Sequence, residues 1–210
     1  MKKTKLFFLA TVLLFLTACL CKEEVIETIR FTDEQSQVNP YQGNEMLIFQ
    51  DGDGNSVSYL GQSRKVDIRE YKSCKNCCED YYAVEWVDNT KFESDFLNSD
   101  LQVVLSMNFD VHSLETHPEV HFSWNYYETG STVRGTTFQA FPINGMQSYA
   151  KENGQFSDSL MLRGRTFHDV YSSPGSSIYP DKLHGDTLYY TQNEGIVGLK
   201  LSDGRLFVVE

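Results

Sequence analysis

Leu101-Gln102-Val103-Val104-Leu105-Ser106-Met107-Asn108-Phe109-Asp110-Val111 decides the fold of this chain. Leu101, Val103, Leu105, Met107, Phe109 and Val111 recur at every second position, while Gln102, Ser106, Asn108 and Asp110 occupy four of the five positions between them. Side chains alternate across a strand and follow a 3.6-residue period on a helix, so six apolar residues at period two predict a half-buried β-strand. The same alternation returns in Val120, Phe122, Trp124 and Tyr126 after a His117-Pro118 dipeptide read as a turn, and Val133 to Phe138 is a third strand candidate.

Outward from this centre, short alternating runs follow one another at regular spacing. Met46 to Gln50 and Ser56 to Leu60 flank Asp51-Gly52-Asp53-Gly54-Asn55, which predicts a hairpin. Val66 to Tyr71 and Tyr81 to Val87 flank a loop from Cys74 to Asp80. The C-terminal fifty residues hold Leu160 to Arg163, Arg165 to Tyr171, Thr187 to Thr191, Ile196 to Leu201 and Leu206 to Val209, with Asp203-Gly204 as a tight turn. Thr90 to Asn98 is the one candidate helix, with Phe92 and Phe96 as an i, i+4 apolar pair. The expected fold is all-β: an antiparallel meander forming a barrel, half-barrel or sandwich with few short helices, in a single domain over 46–210. Fourteen Phe, 12 Tyr and 2 Trp support that class, because aromatic side chains favour strands.

The amino terminus carries a different signal. Lys2, Lys3 and Lys5 precede an almost unbroken apolar run from Leu6 to Leu16, then Thr17, Ala18 and Cys19. A basic region, a short apolar region and small residues form the pattern of a secretory signal peptide over residues 1–18, too short for a membrane span. Leu16-Thr17-Ala18-Cys19 resembles a bacterial lipobox. The resemblance implies cleavage before Cys19, a diacylglycerol on its sulfur and a fatty acyl group on the new amino terminus. Two or more chains hold a protein stably on a membrane where one does not. The membrane, through the lipid on Cys19, is therefore an expected partner. Leu20 follows the cysteine where an aspartate would imply retention at the inner membrane, so the outer membrane is the expected location. Lys22-Glu23-Glu24 resembles the export signal of Gram-negative surface lipoproteins, and equally reads as a solvated charged tether. Residues 19–45 are polar and acidic with turn signals at Asn39-Pro40 and Gly43-Asn44, and are read as anchor and tether; Val25 to Phe31 is a short strand or helix within them.

A second resemblance lies at the other end. Leu162-Arg163-Gly164-Arg165-Thr166-Phe167-His168-Asp169-Val170-Tyr171, then Leu188-Tyr189-Tyr190, Glu194 to Lys200 and Asp203-Gly204-Arg205 are similar to the C-terminal β-module of uncharacterised bacterial outer-membrane lipoproteins. That resemblance implies an antiparallel meander and no particular chemistry.

Charge and motifs narrow the function classes. Removing the three lysines of residues 1–18 from 18 basic residues leaves 15 against 29 acids, a formal charge of −14 on the mature chain. So acidic a surface repels polyanions, which argues against nucleic acid as a partner. The Asp51–Asn55 loop does not fit a calcium-loop template: with Gly54 at the invariant glycine, Phe49 occupies the first ligand position and Leu60 the last. A turn is preferred to a metal site there. Cys74 and Cys77, around Lys75-Asn76, predict a local disulfide, and no second cysteine pair completes a zinc set. His117 and His121 fit a helical ligand pair, but on a strand they lie about 13 Å apart, too far for one metal. No nucleophile elbow, Ser-x-x-Lys pair, papain-like cysteine or zinc-protease helix occurs, so no catalytic residue and no cofactor are assigned. Trp86, Trp124 and Tyr126-Tyr127 serve packing or stack on a sugar. The expected function is a non-enzymatic, lipid-anchored outer-membrane lipoprotein that binds a ligand or partner or builds the envelope. The alternative is an exported hydrolase acting on polysaccharide or peptide.

Overall fold

The computed structural model describes residues 24–75, 78–128 and 132–210. Thirteen strands form one sheet: β1 (Glu24–Ile29), β2 (Met46–Gln50), β3 (Ser56–Lys75), β4 (Cys78–Ser94), β5 (Ser99–Asp110), β6 (Glu115–Glu128), β7 (Thr132–Phe138), β8 (Phe141–Pro142), β9 (Phe156–Leu162), β10 (Arg165–Ser177), β11 (Gly185–Thr191), β12 (Gly195–Leu201) and β13 (Leu206–Val209). Among the described residues two helices, α1 (Asp33–Ser36) and α2 (Met146–Glu152), and a 3-10 turn at Phe96–Asn98 accompany the sheet. Ten strands close an antiparallel barrel in the order β2-β3-β4-β5-β6-β7-β10-β11-β12-β13, with β13 returning to β2 through Val208↔Gln50 and Val209↔Phe49. Of the three architectures left open by the sequence, the barrel is the one formed.

The opening stretch lies in β5 as expected. Leu101, Val103, Leu105 and Met107 are at most 1% exposed and face the barrel interior, while Gln102, Ser106 and Asn108 face outward. β6 pairs with it through Leu101↔Trp124, Val103↔Phe122 and Leu105↔Val120, so the two apolar faces stack in the interior. Outward-facing Asn89, Lys91 and Glu93 of β4 continue the polar wall. A membrane-spanning barrel has the reverse pattern, apolar outside. Among the described residues no helix is long and apolar enough to cross a membrane.

Several expectations are corrected. Thr90–Ser94 is strand, because Asp88, Thr90 and Phe92 alternate inward at 3%, 0% and 0% exposure; only Phe96–Asn98 is helical, as a 3-10 turn. His117-Pro118 is inside β6, and the turn lies at 111–114, where Leu114 adopts φ 61°. Proline is tolerated there because Pro118 lies at the β8 side of β6, where its carbonyl accepts from the Ile143 N–H at 2.8 Å and no ladder bond to β5 is lost. β3 and β4 are not interrupted strands but one long hairpin. β5 lines β4 as far as Val87, and β1 runs parallel to β4 from Asp80 to Val84.

The largest correction concerns 24–45, which is built into the fold rather than serving as a tether. Phe31, Val38 and Tyr41 are 4–8% exposed within the main core. Eight strands give an interior that side chains just fill, so ten need additional bulk. The 31–41 segment supplies it together with Trp124, Phe122, Tyr190 and Phe92. The hairpin β9–β10, closed by Arg163 and Gly164 at positive φ, covers the outside of β12 and β13 with Leu162, Phe167 and Val170 against Val197 and Val208. β12 is thus apolar on both faces, which explains the unbroken Ile196-Val197-Gly198-Leu199 run.

Candidate functional site

Three polar constellations stand out, and the residues around each show what it can do. The first is internal. Arg64 on β3 donates from Nε to both Asp88 oxygens at 2.9 and 3.1 Å and from Nη2 at 2.5 Å. Its remaining donors reach the carbonyls of Tyr41 at 2.9 Å, Asn39 at 3.3 Å and Ser36 at 3.4 Å. The hydrogen bonds that Arg64 donates to Asp88 hold the guanidinium pKa above its ordinary value, against the opposing effect of burial. Asn39 Nδ2 donates to Thr90 Oγ1 at 3.0 Å, the Tyr41 hydroxyl accepts from the Ile196 N–H at 2.6 Å, and the Tyr190 hydroxyl donates to the Val38 carbonyl. Burial pushes the Tyr41 and Tyr190 hydroxyls far above the ordinary tyrosine range, so both stay neutral. This network fastens 36–41 into the barrel end.

The second lies on the outer wall, in a cleft of about 570 Å³ beside the β4–β5 turn. Asp100, 1% exposed, accepts from Asn125 Nδ2 at 2.9 Å, Gln102 Nε2 at 2.9 Å and the Tyr127 hydroxyl at 2.8 Å. Lys91 Nζ lies 3.7 Å from it and 2.7 Å from Glu93. The hydrogen bond to Glu93 raises the lysine pKa, and the bond to Asp100 raises that of Tyr127. Three donors and a neighbouring lysine take up the lone pairs of this carboxylate. A general acid or base must instead be free to reach the reacting atom.

The third is a groove at the barrel end where α1, the β8–α2 loop and the β11–β12 turn meet. Two cavities of about 690 and 330 Å³ share Ile143, Gly145, Gln192 and Asn193 and so run into one another. Val38, Ile143, Met146 and Tyr171 form a floor 2–9% exposed. The walls are polar side chains from all three elements. A capping box positions α1: Gln35 N donates to Thr32 Oγ1 at 3.2 Å, and Thr32 N donates back to Gln35 Oε1 at 3.0 Å. Gln35 Nε2 then reaches Asn144 Oδ1 at 3.3 Å across the groove. Sequence reasoning missed this groove because its walls come from positions 32–38, 143–147 and 191–193, within segments read as tether or loops.

The residues singled out in the sequence are scattered. Asp51 closes its hairpin as a turn residue: Oδ1 accepts from the N–H groups of Asp53 and Asn55, both at 2.9 Å, and Asn55 Nδ2 binds Oδ2 at 2.9 Å. The Asn55 side chain keeps the Asp51 pKa below its ordinary value. His117 is on the exposed outer face, and His121 Nε2 lies 2.7 Å from Ser106 Oγ and 3.4 Å from Glu119. Burial lowers the His121 pKa, with Glu119 opposing. No group of three His, Cys, Asp or Glu able to hold a metal occurs among the described residues. Trp124 is interior and donates from Nε1 to the Tyr59 hydroxyl at 3.0 Å; Trp86 is on the β3–β4 hairpin under the Arg69 guanidinium, 3.5 Å from the ring centre. Cys19 and Cys77 lie outside the described residues, and with Cys77 the expected Cys74–Cys77 disulfide. Comparison with protein-family models, with curated proteins and with solved structures finds no match for this chain.

Proposed function

We propose that this chain is an exported, lipid-anchored outer-membrane lipoprotein that binds an envelope partner or ligand on the outside of a filled barrel and catalyses no reaction itself. The observation that carries the binding mode is the interior. Trp124, Tyr190, Phe92, Phe122 and Phe138 are each below 2% exposed, and the 31–41 segment occupies the barrel end, so a carried molecule would have to displace core. A small-molecule carrier instead needs a preformed apolar cavity. Recognition therefore falls to the open clefts.

The lipid anchor rests on Leu16-Thr17-Ala18-Cys19. With β1 beginning at Glu24, only 19–23 would separate the lipid from the sheet, at most about 17 Å of extended chain. Metabolic labelling with palmitate tests the anchor: the wild-type chain takes up label and Cys19→Ser does not, and persistent labelling of the variant overturns it. Purification of the intact chain from cell envelopes, followed by mass spectrometry of what accompanies it, tests the binding role. Recovery of the chain alone, with neither protein nor small molecule, counts against it.

A further inference from the structure

We propose that the groove between α1, the β8–α2 loop and the β11–β12 turn is a binding site for a neutral carbohydrate. This rests on the surface-binding reading above and names the ligand class. The combined cavity is of the size that ligand sites occupy. Its rim carries six primary amides, Gln35, Gln37, Asn144, Gln147, Gln192 and Asn193, drawn from three separate elements. An amide presents two donors and one acceptor oxygen side by side, and a sugar hydroxyl is at once donor and acceptor. One amide can therefore engage two neighbouring hydroxyls, donating to one and accepting from the other. Gln37, Gln147 and Asn193 are exposed, and their side chains make no hydrogen bond among the described residues.

Charge selects among sugars. The lining contains no lysine and no arginine, and its only charged groups are Glu34 and Asp169. A phosphate, sulfate or uronate would meet two carboxylates and no cation, whereas carboxylates accept readily from neutral hydroxyls. Asp169 adds a second kind of observation. It adopts φ 52° inside β10, a conformation uncommon outside glycine, at the point where the strand borders the groove beside Tyr171. Such departures concentrate at functional sites because the surrounding structure must hold them in place. A peptide fits less well: peptide grooves offer a free strand edge or apolar pockets for side chains, and here the apolar floor is closed.

Isothermal titration of the full chain in detergent with neutral hexasaccharides of glucose, mannose and N-acetylglucosamine tests the proposal, with hyaluronate and heparin fragments of the same length as acidic counterparts. At least one neutral sugar is expected to bind, with the acidic fragments tenfold or more weaker. Gln192→Ala with Asn193→Ala should weaken binding about tenfold, the equivalent of 1.4 kcal/mol. The melting midpoint should change little, since both residues are on an exposed turn and the bond lost is the weak one from Gln192 Nε2 to Met146 Sδ at 3.6 Å. Glu93→Gln in the outer-wall cleft should bind as the wild type does. No neutral sugar binding at about 10 mM, tighter binding of the acidic fragments, or an undiminished double variant each overturns the proposal. If sugars fail while an envelope protein still accompanies the purified chain, the carbohydrate assignment falls and the surface-binding reading stands.

Discussion

Replacing Arg64 with methionine should unfasten the amino-terminal segment from the barrel. The side chains of Arg64 and Asp88 are 19% and 4% exposed, so the pair is little screened by solvent. Methionine preserves much of the aliphatic stem but leaves the Asp88 carboxylate buried without a counter-charge, a change that costs about 3–5 kcal/mol in comparable buried pairs. The carbonyls of Tyr41 and Asn39 lose their donor as well, and removal of a charged donor costs about 1–3 kcal/mol where the acceptor stays dry. Because the loosened end can admit water, the second cost overlaps the first, and a total of about 4 kcal/mol is expected. At roughly 2–4 °C per kcal/mol for a chain of this size, the melting midpoint should fall by about 8–16 °C. Arg64→Met with Asp88→Leu removes both charges and should recover about half of the loss, since breaking a buried pair costs more than deleting it. Urea denaturation measures the stability, and amide exchange at 36–41 locates the effect. A loss under 1 kcal/mol, a double variant worse than the single one, or unchanged exchange at 36–41 would refute the clamp.

Three further predictions probe other parts of the fold. Gly195→Ala should cost about 3 kcal/mol by thermal melting, because φ is 80° there and a Cβ would overlap the Tyr41 hydroxyl and ring, displacing the acceptor of the buried Ile196 N–H; a loss below 1 kcal/mol counts against that packing. Leu114→Gly should raise stability by about 1 kcal/mol, since a half-exposed leucine at φ 61° carries strain that glycine does not; a lower melting midpoint contradicts it. Burial would raise the Glu45 pKa, but the N–H groups of Gln42, Gly43 and Asn44, at 2.6, 2.8 and 3.1 Å, together lower it. Its contribution to stability is therefore complete above the unfolded-state pKa near 4.5 and is lost as pH falls through the lower folded value. Glu45→Gln should accordingly flatten the stability profile between about pH 5 and 3, measured by urea midpoints; an unaltered acid limb disproves the role.

Much of the barrel was legible because a strand that buries one face advertises it. β5 and β6 carry alternation strong enough to locate them within a few residues, β12 shows instead as an unbroken apolar run, and Asp51–Asn55 and Asp203-Gly204 mark turns. Where alternation failed as a guide, a local signal had two readings. Phe92 and Phe96 fit a helix as well as a strand, and the choice fell to the inward row of Asp88, Thr90 and Phe92. Pro118 reads as a turn until β8 is seen beside it. The groove was illegible altogether, since exposed amides at Gln37, Asn144 and Asn193 carry no periodicity and look like ordinary loop composition.

Strand class, turn positions, the lipobox-like leader and the acidity that repels polyanions are all contained in local order and composition, because each depends on residues a few positions apart. Closure of ten strands, the choice of barrel over sandwich, the capture of 31–41 and the meeting of three elements around one groove depend on residues far apart in the chain, such as Phe49 and Val209 at the closing seam and Tyr41 and Ile196, which are 155 positions apart. Segment 24–45 is polar and aperiodic, so nothing local marks it as core. It is held because a ten-stranded barrel leaves an interior to be filled, and because Arg64 and Asp88 wait inside with charges that its carbonyls help to satisfy.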